Sequence, residues 1–181
     1  EMRLAGRHNL ANALAALLLG RAAGLPRAAM VETLRHFPGL PHRTQWVAEW
    51  GGVRWYNDSK GTNVGATVAA LEGLRSDLGR AVLIAGGDGK GADFSPLVPA
   101  LSQTTRALVL IGRDSLRIAA AAGGVPCHFA GDMEAAVQLA AGLAQPGDHV
   151  LLSPACASFD MFTNYEARGR CFEAAVRRLS S

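Results

Sequence analysis

The sequence predicts an α/β protein: a mostly parallel sheet covered by helices on both faces, with an antiparallel hairpin at one edge. Three observations predict it. Ala81-Val82-Leu83-Ile84-Ala85, Ala107 to Ile111 and His149-Val150-Leu151-Leu152 are short, unbroken apolar runs, the pattern of strands buried on both faces rather than on one. Helix-length segments separate them, the spacing of strand–helix–strand crossovers. Ahead of them, Thr44 to Trp50 and Val53 to Tyr56 flank Gly51-Gly52, a turn pair that tolerates the positive φ of a tight hairpin.

The elements follow in order. Asn9 to about Ala23 is rich in Ala and Leu and stops at Gly24, a residue suited to end a helix. Pro26 suits the first turn of a second helix, which runs to about Phe37. Pro38-Gly39-Leu40-Pro41 then breaks regular structure. That break is the candidate domain boundary, because everything before it is helical and everything after it alternates strand with helix. Beyond the hairpin come a helix from about Val64 to Leu74, the strand at Ala81, and a helix near Ser95 to Ser102 with Pro96 at its start. The strand ending at Ile111 leads to a helix over 115–122, a short strand near Cys127 to Phe129 and a helix from Met133 to Leu143. Pro146-Gly147 turns the chain into the strand at His149, and a helix from about Tyr165 to Leu179 closes it.

Bulk properties exclude several classes. The chain has 181 residues, 49% of them hydrophobic, enough for one core and part of another unit. A net charge of +3 with no Lys/Arg block argues against nucleic acid. No apolar run reaches the roughly 20 residues of a membrane span. The Glu1-Met2-Arg3 start has no signal-peptide character. Cys127, Cys156 and Cys171 show neither metal-ligand nor redox spacing. Three reduced cysteines in a cytoplasmic protein are expected.

The polar residues gather just after three of the predicted strands: Asn57-Asp58-Ser59-Lys60-Gly61-Thr62-Asn63, Asp88-Gly89-Lys90, and Ser153 to Ser158. In a parallel sheet those loops share the edge where ligands bind. Lys60 and Lys90 are the only lysines in the chain, and with the hydroxyls of Thr62 and Ser158 they suit an anionic ligand such as a phosphate or a small dicarboxylate. The bland reading is a well-capped loop, since Asn, Asp and Ser also favour turns and helix starts. Gly86-Gly87-Asp88-Gly89-Lys90-Gly91 matches neither phosphate-loop nor dinucleotide spacing: Ile84 stands where the first needs glycine, Ala92 where the second does. Glycines there serve either backbone approach to a ligand or a tight turn. Asn9 and Asn12 are three apart at a helix start. Asn9 is either an N-cap or one of two amides presented on one face, suited to a heterocyclic base. His42-Arg43 is either a pair of solvated loop cations or a ligand contact. No nucleophile elbow surrounds Ser158, and Cys156 has no base near it in sequence.

Taken together, Gly6-Arg7-His8-Asn9 with Asn12, Gly39-Leu40-Pro41-His42-Arg43, Asn57-Asp58-Ser59-Lys60 with Thr62-Asn63, Gly86-Gly87-Asp88-Gly89-Lys90 with Ala92-Asp93-Phe94, and Leu152-Ser153-Pro154-Ala155-Cys156-Ala157-Ser158 resemble, in this order, the motifs of the Mur ligases of peptidoglycan synthesis. The resemblance covers essentially the whole chain. Its last two motifs point, within the family, to the branch that adds D-glutamate.

The resemblance implies that residues 1–40 are the tail of a central ATPase domain and 41–181 a Rossmann-like C-terminal domain. It implies ATP with Mg2+ and UDP-MurNAc-L-alanine as ligands of the full-length enzyme: ATP phosphorylates the UDP-MurNAc-L-alanine carboxylate, and the D-glutamate amine attacks the acyl phosphate. The family's UDP-binding domain, phosphate loop, magnesium ligands and modified lysine have no counterpart in this sequence, so the resemblance implies a fragment inactive by itself. Asn9 and Asn12 then contact adenine, Arg43 and Asp58 hold the nucleotide, and Lys60, Thr62, Lys90, Ser158 and Tyr165 line the D-glutamate pocket. Two departures stand out. Gly61 replaces a common Ala, loosening the loop, and Tyr165 stands where Phe is frequent, with Phe159 and Phe162 as possible sharers of its role. A folate-type sibling ligase and a stand-alone binding module on the same scaffold are the alternatives.

Overall fold

A computed structural model of the chain describes residues 7–76 and 78–179. Gly6, the first residue of the Gly6-Arg7-His8-Asn9 motif, lies outside the described residues, as does the Glu1-Met2-Arg3 start. Two helices come first, α1 (Arg7–Ala22) and α2 (Arg27–His36). A hairpin of β1 (Gln45–Trp50) and β2 (Val53–Asn57) follows, then α3 (Val64–Gly73), β3 (Ala81–Gly86), α4 (Leu97–Thr104), β4 (Thr105–Ile111), α5 (Ser115–Ala120), β5 (Cys127–Phe129), α6 (Met133–Leu143), β6 (His149–Leu152) and α7 (Tyr165–Leu179). Gly51 and Gly52 both take positive φ, 60° and 74°, as the two-residue hairpin turn requires.

The six strands form one sheet in the order β1-β2-β6-β3-β4-β5. Only β1 runs antiparallel to its neighbour; β2, β6, β3, β4 and β5 pair in parallel. The apolar strand runs are explained by helices on both faces. Leu83, Leu108, Leu110 and Leu151 pack with Leu71 of α3, Leu97 and Leu101 of α4 and Ile118 of α5. Val82, Ile84, Val109 and Val150, one residue out of phase, pack with Met133 and Val137 of α6 and Phe172 and Val176 of α7. The chain moves outward from β3 to β4 and β5 under α4 and α5. It then returns beneath the other face through α6 to β6, on the opposite side of β3. The carboxyl ends of β3 and β6 therefore flank the point where strand order reverses, which is where open α/β sheets place their ligands.

Helices α1 and α2 add little to this core. Ala13 is buried on α1, while Leu10, Leu14, Leu18 and Leu19 are exposed; α2 has no buried residue. Between the two helices runs an apolar groove of about 660 Å³ lined by Leu14, Leu17, Leu18, Leu25, Met30 and Val31. Helix α1 nevertheless lies against α3, and that contact builds one wall of the site. None of the described helices is long and apolar enough to cross a membrane.

Candidate functional site

The loops that follow β2, β3 and β6 meet at one edge of the sheet. Residues Asn9 and Asn12 from α1, Arg43 and Thr44 from the segment before β1, Asp58, Lys60 and Gly61 from the loop after β2, and Ala66, Ala69 and Ala70 from α3 line a cleft of about 200 Å³. The three alanines keep the α3 wall low, so side chains from α1 and the loop face each other across it. Asn9 sits inside α1, which is already helical at Arg7; the N-cap reading of Asn9 is therefore corrected. Asn9 and Asn12 share the cleft face, as their spacing of three predicts.

Asp58 is the buried anchor of this cleft. Its Oδ1 accepts from the Thr44 backbone N–H at 3.0 Å, and its Oδ2 accepts from Ser153 Oγ at 2.7 Å. Its own N–H donates to Leu152 O at 2.8 Å, extending the β2–β6 pairing one step past the sheet. Thr67 Oγ1 of α3 lies 3.1 Å from Ser153 Oγ and donates to Ser153 O at 3.2 Å. Gly61 has a reason beyond looseness: a Cβ there would stand 2.5 Å from Asp58 Oδ2 and 2.6 Å from Ser153 Oγ. An alanine at 61 requires those two polar ends to move.

Thr62, Lys90, Ser158 and Tyr165 do not line this cleft; Thr62, Lys90 and Ser158 belong to the loops that share its sheet edge, and Tyr165 opens α7. The Lys60 ammonium sits over the Tyr165 ring, 3.9 Å from its centre, an attraction between a cation and the negative face of the ring. Hydrogen bonding with the adjacent Glu166 carboxylate raises the Tyr165 phenol. Lys90 is exposed, and its Nζ lies 5.8 Å from the Phe159 ring centre. Its backbone is left-handed (φ 50°) and its N–H donates to Asp88 Oδ1 at 2.9 Å. The glycines before it serve loop-to-loop approach: Asp88 and Ala157 exchange backbone hydrogen bonds of 3.0 and 2.9 Å, and a Cβ on Gly87 would collide with Ala157 O. Lys90 and Ser158 thus ride on two paired loops. Cys156 is fully buried, and burial pushes its thiol up to about 12; no thiolate is available at neutral pH.

Backbone strain concentrates at this edge. Among the described residues, the non-glycine positions with positive φ are His42, Thr44, Lys90 and Ala155, all in or beside the converging loops. Such conformations persist only where surrounding contacts enforce them.

Several residues of the site are not singled out by sequence reasoning. Thr44 and Ser153 hold Asp58, and Thr67 braces Ser153. Asn57 accepts from Ser59 N–H at 3.0 Å through Oδ1, which fixes its amide, so its Nδ2 donates to His42 Nδ1 at 2.9 Å and to Glu173 at 2.7 Å. A neutral His42 then carries its proton on Nε2. Arg168, 1% exposed, reaches two of the loops from α7. The polar runs after β2 and β6, which hold Asn57 and Ser153, are the signal the sequence offers, and it does not say which of these residues are buried.

Comparison with known proteins adds an independent line. The family model described as "Mur ligase, glutamate ligase domain" matches residues 42–156. The UDP-N-acetylmuramoylalanine–D-glutamate ligase of Nitrosococcus oceani is 63% identical over the whole chain, which covers 40% of that protein. The same-named ligase of Pseudomonas syringae pv. syringae is 60% identical over 99% of the chain and 41% of its own length. The chain thus spans about 40% of the length of these relatives. Among solved structures, the UDP-N-acetylmuramate-alanine ligase of Thermotoga maritima superposes with a TM-score of 0.71 at 17% identity, over 99% of the chain and 40% of its own. MurF ligase from the same organism, in complex with ADP, gives 0.64 at 16% identity, over 96% of the chain and 40% of its own. At such identities the likeness is one of fold.

Proposed function

The chain belongs to the Mur ligase family, and on that premise we propose that it is the C-terminal part of a ligase that adds D-glutamate to UDP-MurNAc-L-alanine with ATP in peptidoglycan synthesis. The observation that carries this reading is the single cleft lined by Asn9, Asn12, Arg43 and Asp58, four residues from three separate segments whose chemistry suits one nucleotide. Two amides fit the donor–acceptor edge of a base. The Asp58 carboxylate at the cleft wall is an acceptor suited to a ribose hydroxyl. A guanidinium suits a phosphate.

Residues 1–40 then belong to the domain that precedes them, and the apolar groove between α1 and α2 is covered by that domain. Residues 41–181 form the C-terminal domain. The nucleotide, when bound with Mg2+, supplies the phosphoryl group that activates the carboxylate of UDP-MurNAc-L-alanine. This chain's residues bind and orient. Asn9 and Asn12 hold the base, Arg43 and Asp58 fix the nucleotide at the junction of the two units, and Lys60, Thr62, Lys90, Ser158 and Tyr165 receive D-glutamate. Two ammonium groups against its two carboxylates neutralise charge and aim the amine, and orientation alone can contribute several kcal/mol to a transfer reaction. By itself the chain performs neither ligation nor ATP hydrolysis.

The test is Lys90→Ala in the longer ligase. Lys90 is exposed, and its ammonium forms no ion pair among the described residues, so its charge is available to a ligand. Removing one charge-assisted partner costs roughly 2–4 kcal/mol, a rise in KM for D-glutamate of about 30-fold or more. Ser158→Ala has a milder effect of the same kind. Loss confined to ATP or the UDP-sugar would remove Lys90 from the amino-acid pocket.

A further inference from the structure

Arg168 stands where an arginine is costly three times over. It is 1% exposed, and burial brings its guanidinium down to about 10. It occupies the first turn of α7, the end of a helix that repels cations. None of its hydrogen-bond acceptors among the described residues is a carboxylate. Nε donates to Ser59 Oγ at 3.0 Å, Nη2 to Ser59 O at 2.9 Å and Nη1 to Cys156 O at 3.1 Å. Ser59 Oγ in turn donates to Tyr165 O at 2.8 Å.

Those acceptors mark out what the guanidinium joins. Ser59 lies between Asp58 and Lys60 in the loop after β2. Cys156 lies two residues before Ser158 in the run after β6. Tyr165 opens α7 and carries the ring beneath Lys60. Ala155 N–H donates to Gly61 O at 2.9 Å and Ser153 Oγ to Asp58 Oδ2 at 2.7 Å, so the two loops are joined nearer the sheet as well. Arg168 adds a side-chain tie between the same two loops. A lysine has one point of attachment there; only the planar fork reaches both loops at fixed spacing.

We propose that Arg168 is a positioning residue that sets the distance between the Asp58–Thr62 loop and the Cys156–Ser158 run, and so couples the nucleotide cleft to the amino-acid pocket. The coupling of loops stands on the geometry; the identity of the ligands rests on the function proposed above.

The experiment uses the longer ligase and the variants Arg168→Lys, Ser59→Ala and both together. The first readout needs no ligand: hydrogen exchange of the amides in 58–62 and 155–158 against those of β3 and β4. In Arg168→Lys both loops should exchange about tenfold faster together, with the strands unchanged. The second readout is kinetic: KM for D-glutamate should rise roughly ten- to a hundredfold, as a displacement near 1 Å can cause, and more than kcat falls. Ser59→Ala, which removes only the Oγ contacts, should give a smaller change of the same pattern, and the double variant no more than Arg168→Lys alone. If Arg168→Lys does not fold, the loop-selective pattern in Ser59→Ala carries the test. Parent-like exchange in both loops, or equal acceleration at every amide, overturns the proposal. Selective loosening of the loops with D-glutamate use unchanged supports the positioning role and instead removes D-glutamate from the proposed function.

Discussion

Protonation of His149 should make the fold weaken as pH falls through the range of an ordinary histidine, well before carboxylates titrate. His149 opens β6 and is 2% exposed, its ring edge-on to Tyr56 at 6.2 Å between centroids. Its Nε2 has no hydrogen-bond partner among the described residues. Burial, helped by the nearby Arg54 charge and opposed by Asp148, lowers its pKa from 6.5 to about 4. The unfolded chain thus binds this proton at a higher pH than the folded one. The stability at stake is fully present above 6.5 and is lost as pH falls from there towards 4. A difference of 2.5 units is worth about 3 kcal/mol once protonation is complete, of which roughly 2 kcal/mol is gone by pH 5. Asp148 works in a separate window. Burial pushes its carboxyl up, but hydrogen bonds from Arg106 and from the Arg80 and Gln145 N–H groups outweigh that and hold it low. Its contribution is therefore lost as pH falls from the ordinary carboxylate value through the lowered one. Urea denaturation of the chain at pH 7.5 and pH 5.0 should show the difference, and His149→Leu should remove most of it while adding no orphaned polar atom. An imidazole that titrates near 6 in the folded protein by NMR, or an equal pH difference in His149→Leu, would refute the reasoning.

Other outcomes follow from the site. Ser153→Ala deprives the buried Asp58 carboxylate of a donor at 2.7 Å and should cost about 1–3 kcal/mol of stability, measured by denaturation. An unchanged midpoint would mean that water replaces the hydroxyl. Asn12→Ala in the longer ligase should raise KM for ATP by up to about tenfold, the worth of a neutral hydrogen bond, and leave D-glutamate use unchanged. Limited proteolysis of the chain should cut first between Pro38 and Pro41, where Leu40 is 53% exposed, and should spare His42 and Thr44, which are buried; first cleavage inside the sheet would contradict the boundary at residue 41.

The strands were legible because helices on both faces force unbroken apolar runs, a pattern that survives without any knowledge of partners. The edge hairpin was legible because Gly51-Gly52 imposes its own backbone. The meeting of three polar loops was legible for a topological reason: loops after parallel strands must share an edge. Beyond that outline the sequence runs short, since burial of a polar residue is decided by partners far along the chain. Arg168 reads as one of several arginines on an amphipathic helix that also carries Arg170, Arg177 and Arg178. Its acceptors on Ser59, 109 residues away, and on Cys156 turn it inward. Gly61 reads as a loosened loop until Asp58 and Ser153 are seen to close on it. His149 reads as part of a buried strand, while its orphaned Nε2 and its edge-on contact with Tyr56 are not visible in the sequence. Each correction has the same form. Local pattern assigns a residue to an element, but whether a charge or an amide belongs to solvent, to a ligand or to another loop depends on contacts that pattern does not encode. Arg168 is the clearest case, because its cost in burial and in helix dipole is visible only once its acceptors are known, and those acceptors are two of the three loops that carry the ligand-facing side chains.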